Sequence, residues 1–338
     1  MNHMPRCSST RLPRLSYARN MAYSCAIFVS GMLLHTTEAL ACAACGHIAS
    51  NDWQTQEIKI QPGFTVDLSY DYINQNQMRL GGNKASGTDI VKFNTATGNP
   101  EAEVATRNQI VNLAINYSVV DWGINLQLPY LDRYHTTNQN GYAVPPLNSS
   151  HSGTPGDARI LWRYSGFSND GSGGLLLGAK LPTGPIDINF NDGAPLDRSL
   201  QPGTASTDLI LGGYQTGQID QFGWFAQGAI QHAVMTRGDY RPGDTTTLNL
   251  GIRYATFGQR ITPTVQLNLI HRDRDSGVNA LPAYSGGDLI YMTPGLSVRL
   301  GKGIAAYGLL QLPIYQYVNG LQLAPTSTIT VGIRQSFD

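Results

Sequence analysis

Along most of the chain apolar and polar residues alternate one by one, and that period of two puts successive side chains on opposite faces of a β-strand. Ile261 to His271 shows it most clearly. Ile261, Val265, Leu267 and Leu269 share one face, and Thr262, Thr264, Gln266 and Asn268 share the other. Thr245 to Phe257 repeats the pattern, with Leu248, Leu250, Ile252 and Tyr254 against Thr247, Asn249, Gly251 and Arg253. Trp122 to Arg133 sets Trp122, Ile124, Leu126, Leu128 and Tyr130 against Asn125 and Gln127. The pattern predicts twelve strands, over 64–74, 104–117, 122–133, 156–165, 173–182, 207–215, 222–234, 245–257, 261–271, 288–299, 304–317 and 326–337.

A soluble β-sandwich shares such alternation, but the buried face of its strands is apolar. Here one face is apolar and the other is rich in amides and hydroxyls, which suits a wall between lipid and a wet lumen. Lipid offers no hydrogen bonds, so only helices and closed barrels cross it. The connections alternate in length, and each odd-numbered one is longer than any even-numbered one. Outer-membrane barrels have long outer loops and short periplasmic turns. The pattern therefore predicts an even strand count with both termini in the periplasm.

Two further features fit this phase. Gln127-Leu128-Pro129, Lys180-Leu181-Pro182 and Gln311-Leu312-Pro313 all stand near the outer ends of upward strands. Proline cannot donate to a ladder and suits a strand end or rim. Aromatic residues collect near the strand ends: Tyr70, Tyr72, Tyr117, Trp122, Tyr130, Trp224, Tyr254, Phe257, Tyr315 and Phe337. Amphipathic rings favour the membrane–water interface.

The N-terminus carries Arg6, Arg11, Arg14 and Arg19 and then an apolar run from Ala22 to Leu34. The run ends near Ala39-Leu40-Ala41, a small-x-small site. This is the layout of a secretory signal peptide, and the run is too short for a helical span of about 20 residues. The expected organisation is a signal peptide over 1–41, a periplasmic arm or plug over 42–63, and a barrel over 64–338. The whole chain balances 23 basic against 23 acidic residues. Loss of the four arginines leaves the mature chain slightly acidic, which argues against nucleic acid as a partner.

Of four cysteines, Cys7 and Cys25 fall in the signal, and Cys42 and Cys45 open the mature chain as CAAC. Export to an oxidising compartment suits a local disulfide. A redox pair, half of a metal site and lipidation of Cys42 are the alternatives. CAACGH misses the haem-attachment pattern because Gly46 precedes His47. No cofactor is expected.

The lumen-facing parity collects charge: Asp67 and Asp71 on the first strand, Asp157, Arg159 and Arg163 on the fourth, then Lys180, Arg253 and Arg334. Buried charges must be paired or hydrated. These residues either brace a narrow barrel or form a selectivity ladder for a polar or anionic solute. An outer-membrane lipase would need a serine beside an oriented histidine. His232 has outward parity, His271 ends its strand, and His135, His151 and His47 are placed in loops or the arm. No matching serine stands out, so no enzyme is expected.

The strand-end [Q/K]LP motifs and the closing run YQYVNGLQL (315–323) and ITVGIRQSF (329–337) resemble the outer-membrane transporters grouped with the phenol meta-pathway proteins. CAACGHIASNDW (42–53), SYDYINQNQMR (69–79) and LQPGTASTDL (200–209) are similar to members of the same broad group. Those proteins are in turn similar to the long-chain fatty-acid transporter. The resemblance covers most of residues 60 to 338 and implies a transport barrel in the outer membrane of a Gram-negative bacterium. It implies uptake of small solutes, hydrophobic or aromatic ones included, and no ligand motif comes with it. The expected partners are outer-membrane lipid, a small-molecule solute and the barrel-assembly machinery. A structural barrel without transport is the alternative.

Overall fold

The computed structural model describes residues 62–98, 101–138, 147–168, 170–254 and 260–337. The signal segment, the Cys42-Ala43-Ala44-Cys45 motif, the arm before Pro62 and Phe257 lie outside the described residues. Among those described, the elements are β1 (Gly63–Gly81), β2 (Asn83–Lys84), α1 (Gly87–Thr97), β3 (Ala102–Ser118), β4 (Trp122–Asn138), β5 (Asn148–Pro155), β6 (Ala158–Tyr164) and β7 (Gly173–Leu181). They continue with β8 (Thr207–Ile219), β9 (Phe222–Met235), β10 (Thr245–Tyr254), β11 (Ile261–Arg272), β12 (Gly287–Arg299) and β13 (Ile304–Phe337).

Each wall strand pairs antiparallel with its neighbours in chain order, and β13 pairs with β1 to close the sheet. The closing seam runs from Phe64 opposite Phe337 to Leu80 opposite Leu321. Eleven strands make the wall, with β2 and β5 as short outside strands on β1 and β4. No described helix is long and apolar enough to cross a membrane.

β13 spans 34 residues but is not straight. Its first half pairs with β12 and its second half with β1. The Ser336 amide donates to the Gly303 carbonyl at 2.7 Å, and the Gln316 side chain reaches the Pro325 carbonyl at 2.8 Å. The halves therefore face each other as a hairpin. Its bend is at Asn319–Gly320, where Gly320 takes a left-handed φ of 58°. Asn-Gly is a preferred two-residue hairpin dipeptide. With β13 counted as two staves, the wall has twelve. The sequence placed a loop between 317 and 326; the strands instead run on to the Asn-Gly turn.

Alternation drives the wall as the sequence implies, apolar residues outward and polar residues inward. In β10, Leu248, Leu250 and Ile252 are exposed, while Asn249 is 4% exposed. Asn249 accepts from Asn268 at 2.8 Å, and Thr293 donates to Asn268 at 2.6 Å, an inward ladder across three strands. Exposed and half-buried rings gather at the short-turn rim: Phe64 with Phe337, Tyr117 with Trp122, Trp162 with Tyr164, and Phe222 with Tyr254.

The one described α-helix, α1, lies in the first long loop and was not expected. Ser86 and Asp89 form a capping box at its start, and Gly98 ends it at φ 69°. Its buried Ile90 packs with Ala102 and Leu321, and Phe93 meets Tyr284 edge to face. The helix thus braces the long-loop end of the wall.

Candidate solute pathway

The inward positions of the strands line the candidate pathway, and of the eight charged residues expected to face it Asp67, Asp71, Asp157, Arg163 and Lys180 are buried and Arg159, Arg253 and Arg334 half-buried. They divide into two levels. Asp67, Arg163, Arg253 and Arg334 stand toward the short-turn end. There Arg334 pairs with Asp67 at 3.3 Å and Tyr307 donates to Asp67 at 2.8 Å. Asp71, Asp157, Arg159 and Lys180 line a cavity of about 290 Å³. Thr330 donates to Asp71 at 2.5 Å.

One side of that cavity is not a strand. The long connection between β7 and β8, residues 182–206, turns inward and contributes Arg198, Ser199, Gln201, Pro202 and Thr204 to the lining. Sequence reasoning placed this segment as an outer surface loop. Three anchors explain the difference. Lys180 on β7 pairs with Asp157 at 2.9 Å and with Asp208 at 3.3 Å. It also bonds Thr204 and the Ser206 carbonyl, so one cation ties the loop to two walls. Asp157 accepts from the amides of Gly184 and Thr204, at 3.1 and 3.0 Å. Arg133, inward on β4, donates to the carbonyls of Leu200 and Gln201.

The loop also has its own small core. Phe190, Leu196 and Leu200 pack on Leu323 of β13. Gln201 accepts from the Ile188 amide and donates to the carbonyls of Ile188 and Leu196. At its neck the backbones of Gly184 and Gly203 approach so closely that a Cβ on either would collide with the other. Burial of these apolar groups and the paired ions together hold the loop in the lumen rather than over it.

The next long loop, between β9 and β10, adds Tyr240, Pro242 and Gly243. Asp275 gathers it: Tyr240 donates at 2.8 Å, the Gly243 amide at 2.8 Å and Arg272 at 2.8 Å. The cavity lining counts Arg133, Arg159, Lys180, Arg198 and Arg272 against Asp71, Asp157 and Asp208. Five cations against three acids give it a positive excess. Of these eight, sequence parity had singled out four. Arg133 and Asp208 had the right parity but were not counted. Arg272 ends β11 with the inward parity, one residue past the predicted strand, and Arg198 could not be found without knowing which loop folds inward.

On the loop side away from the cavity lining, Glu101 and Asp197 are neighbours. Burial, with the nearby Asp197 charge second, raises the Glu101 carboxyl from 4.5 to about 7. Burial raises Asp197 as well.

The described histidines make hydrogen bonds or packing contacts. His135 and His151, expected in loops, lie in β4 and β5. His135 is fully buried with its Nδ1 2.8 Å from the Thr106 hydroxyl, and His151 pairs with Asp132 at 2.6 Å. His232 meets Asp244 and His271 meets Asp288. Among the described residues no group of three or more His, Cys, Asp or Glu could hold a metal ion.

No family model and no curated protein matches the chain. Among solved structures, an outer-membrane channel of Pseudomonas putida superposes with a TM-score of 0.59 at 12% identity, over 86% of this chain and 100% of that one. This chain has the fold of an outer-membrane β-barrel. At that identity the likeness is one of fold. The barrel is similar more loosely to the toluene transporter of Ralstonia pickettii, with TM-score 0.44, 9% identity, and 84% and 93% of the two chains. A fatty-acid-transporter (FadL) homologue of Pseudomonas aeruginosa gives 0.39 at 10% identity, over 89% and 99%.

Proposed function

We propose that this barrel is a passive channel for small solutes, with its constriction at the inward 182–206 loop and a preference for anions there. The positive excess of the cavity lining carries this reading, because charged rings in a low-dielectric wall set the sign of the ion that passes. The amide and hydroxyl ladders below the constriction offer a hydrated path toward the periplasmic end. The apolar outward belt and the closing strand ending in Phe337 support outer-membrane lipid and the assembly machinery as partners. The grouping with phenol meta-pathway transporters supports small organic solutes. No bond-making step is involved in this reading.

Planar-bilayer recording under a salt gradient tests it. The expected result is a small conductance with a reversal potential on the anion side. Replacing Arg159 by Gln should move the reversal potential toward zero. A folded barrel without conductance would overturn the channel and leave a structural barrel.

A further inference from the structure

The cavity beneath the inward loop is chemically two-sided. In a water-filled lumen inward residues should be polar, and most are. Yet Leu161, Leu176 and Ile210, on adjacent strands β6, β7 and β8, all point into the cavity. The register sets them together: Leu161 and Ile210 both stand opposite Gly178, and Leu176 is two residues from it on the same face. Arg159 lies two residues along β6 from Leu161, opposite Lys180. An apolar patch therefore adjoins the basic group.

The cations differ in how far they are committed. Lys180 holds Asp157 and Asp208, Arg272 holds Asp275, and Arg133 is spent on Asn108 and the loop carbonyls. Arg198 is different. Its Nη2 reaches the Thr204 carbonyl at 3.3 Å and its guanidinium lies 5.1 Å from the Tyr240 ring centroid. Its buried Nε and Nη1 donate to nothing among the described residues. Buried donors without acceptors cost free energy and point to an absent partner. Arg159 likewise makes no hydrogen bond or close ion pair among the described residues, and its acidic neighbours Asp157 and Asp208 are already held by Lys180.

We propose that this cavity is a binding subsite for a compact organic anion, a monocarboxylate with an aromatic or branched apolar body. The carboxylate accepts from Arg198 and Arg159, and the body lies on Leu161, Leu176 and Ile210. A body without charge leaves the Arg198 donors unfilled. A charge without a body leaves the apolar patch wet. The subsite deepens the channel reading and rests on its lumen, but binding can be measured without conduction.

Equilibrium binding of radiolabelled benzoate to the full chain in detergent is the direct test. Benzoate should bind saturably, with acetate and benzyl alcohol each at least tenfold weaker as competitors. R198Q and R159Q should each weaken benzoate at least tenfold, with the barrel still folded by its heat-shifted gel mobility. Leu176→Gln should weaken benzoate but leave acetate unchanged. In bilayers, benzoate should block the ion current of the native chain at concentrations that leave R198Q open. Benzyl alcohol competing as well as benzoate would overturn the anion site in favour of an apolar one. Equal competition by acetate would reduce it to a charge filter, and no saturable benzoate binding would remove it. If current flows while benzoate does not bind, the subsite fails and the channel stands. If benzoate binds and no current flows, the channel fails and the subsite stands.

Discussion

Lys180 is the residue on which the constriction turns. Its ammonium stands between Asp157 and Asp208, both nearly fully buried, and bonds the loop at Thr204 and Ser206. Removing one partner of a buried ion pair leaves an uncompensated charge, which costs about 3–5 kcal/mol. Lys180→Met should therefore lower stability by that order and loosen the loop, read as a lower urea midpoint and easier proteolysis within 186–196. Asp157→Asn with Asp208→Asn in the Lys180→Met background should recover much of the loss. The wall gives a second contrast. Leu250 is exposed to lipid and Asn249 points into the cavity lining. Leu250→Arg should cost about 2–4 kcal/mol near the midplane and Asn249→Arg less. Folded fractions in lipid vesicles measure both; equal losses would mean that the register is shifted by one residue. These positions were legible because parity alone assigns a strand residue to lumen or lipid. What parity could not supply was the partner: nothing along the chain says that Asp157 takes the amide of Gly184 or that Arg133 takes the carbonyl of Leu200.

At the scale of elements, strands were readable and loops were not. β10, β11 and β12 begin within a residue of their predicted starts, because each strand carries its own alternation. The inward loop carries no such period. Its place depends on Asp157 and Lys180 and on contacts with β4 and β13, which lie far away in sequence. One signal was there to be used, the Asn319-Gly320 dipeptide, which marks the β13 bend. Docking of the loop should also respond to pH. Glu101 is raised to about 7, and Asp197 is raised too, each chiefly by burial. Glu103 is a further acidic neighbour and Arg133 a basic one. A carboxyl raised on docking binds its proton more tightly in the docked state. Docking is therefore strongest below the ordinary value of 4.5 and weakens as pH rises through about 7. Conductance should rise between pH 5 and pH 8, and Glu101→Gln should flatten that rise. A conductance that falls over the same interval would reverse the sign and defeat the argument.

Over the whole molecule, closure fixes sidedness. Phe64 and Phe337 stand opposite each other at the seam, with their rings 5.9 Å apart, so the barrel begins and ends at the same rim. That rim carries the short turns: Val119 to Asp121, Asp220–Gln221 and Leu300 to Gly303. The opposite rim carries α1, the inward loop and the loops around Tyr240 and Asp275. An even number of staves is what lets both ends meet, and β13 supplies two of them by bending at Gly320. A straight final strand would have given eleven staves and a like-directed seam with β1, whereas the observed pairing is antiparallel. If the short-turn rim faces the periplasm, as in barrels of this kind, insertions at the two rims must behave differently in intact cells. Val278 is the natural outer position, since it is 88% exposed on the β11–β12 loop. Lys302, exposed in the turn before β13, is its inner counterpart. An epitope inserted after Val278 should bind antibody on intact cells. The same epitope after Lys302 should bind only once the outer membrane is permeabilised. The opposite result would invert the barrel and put the inward loop at the periplasmic mouth, where it would govern exit instead of entry.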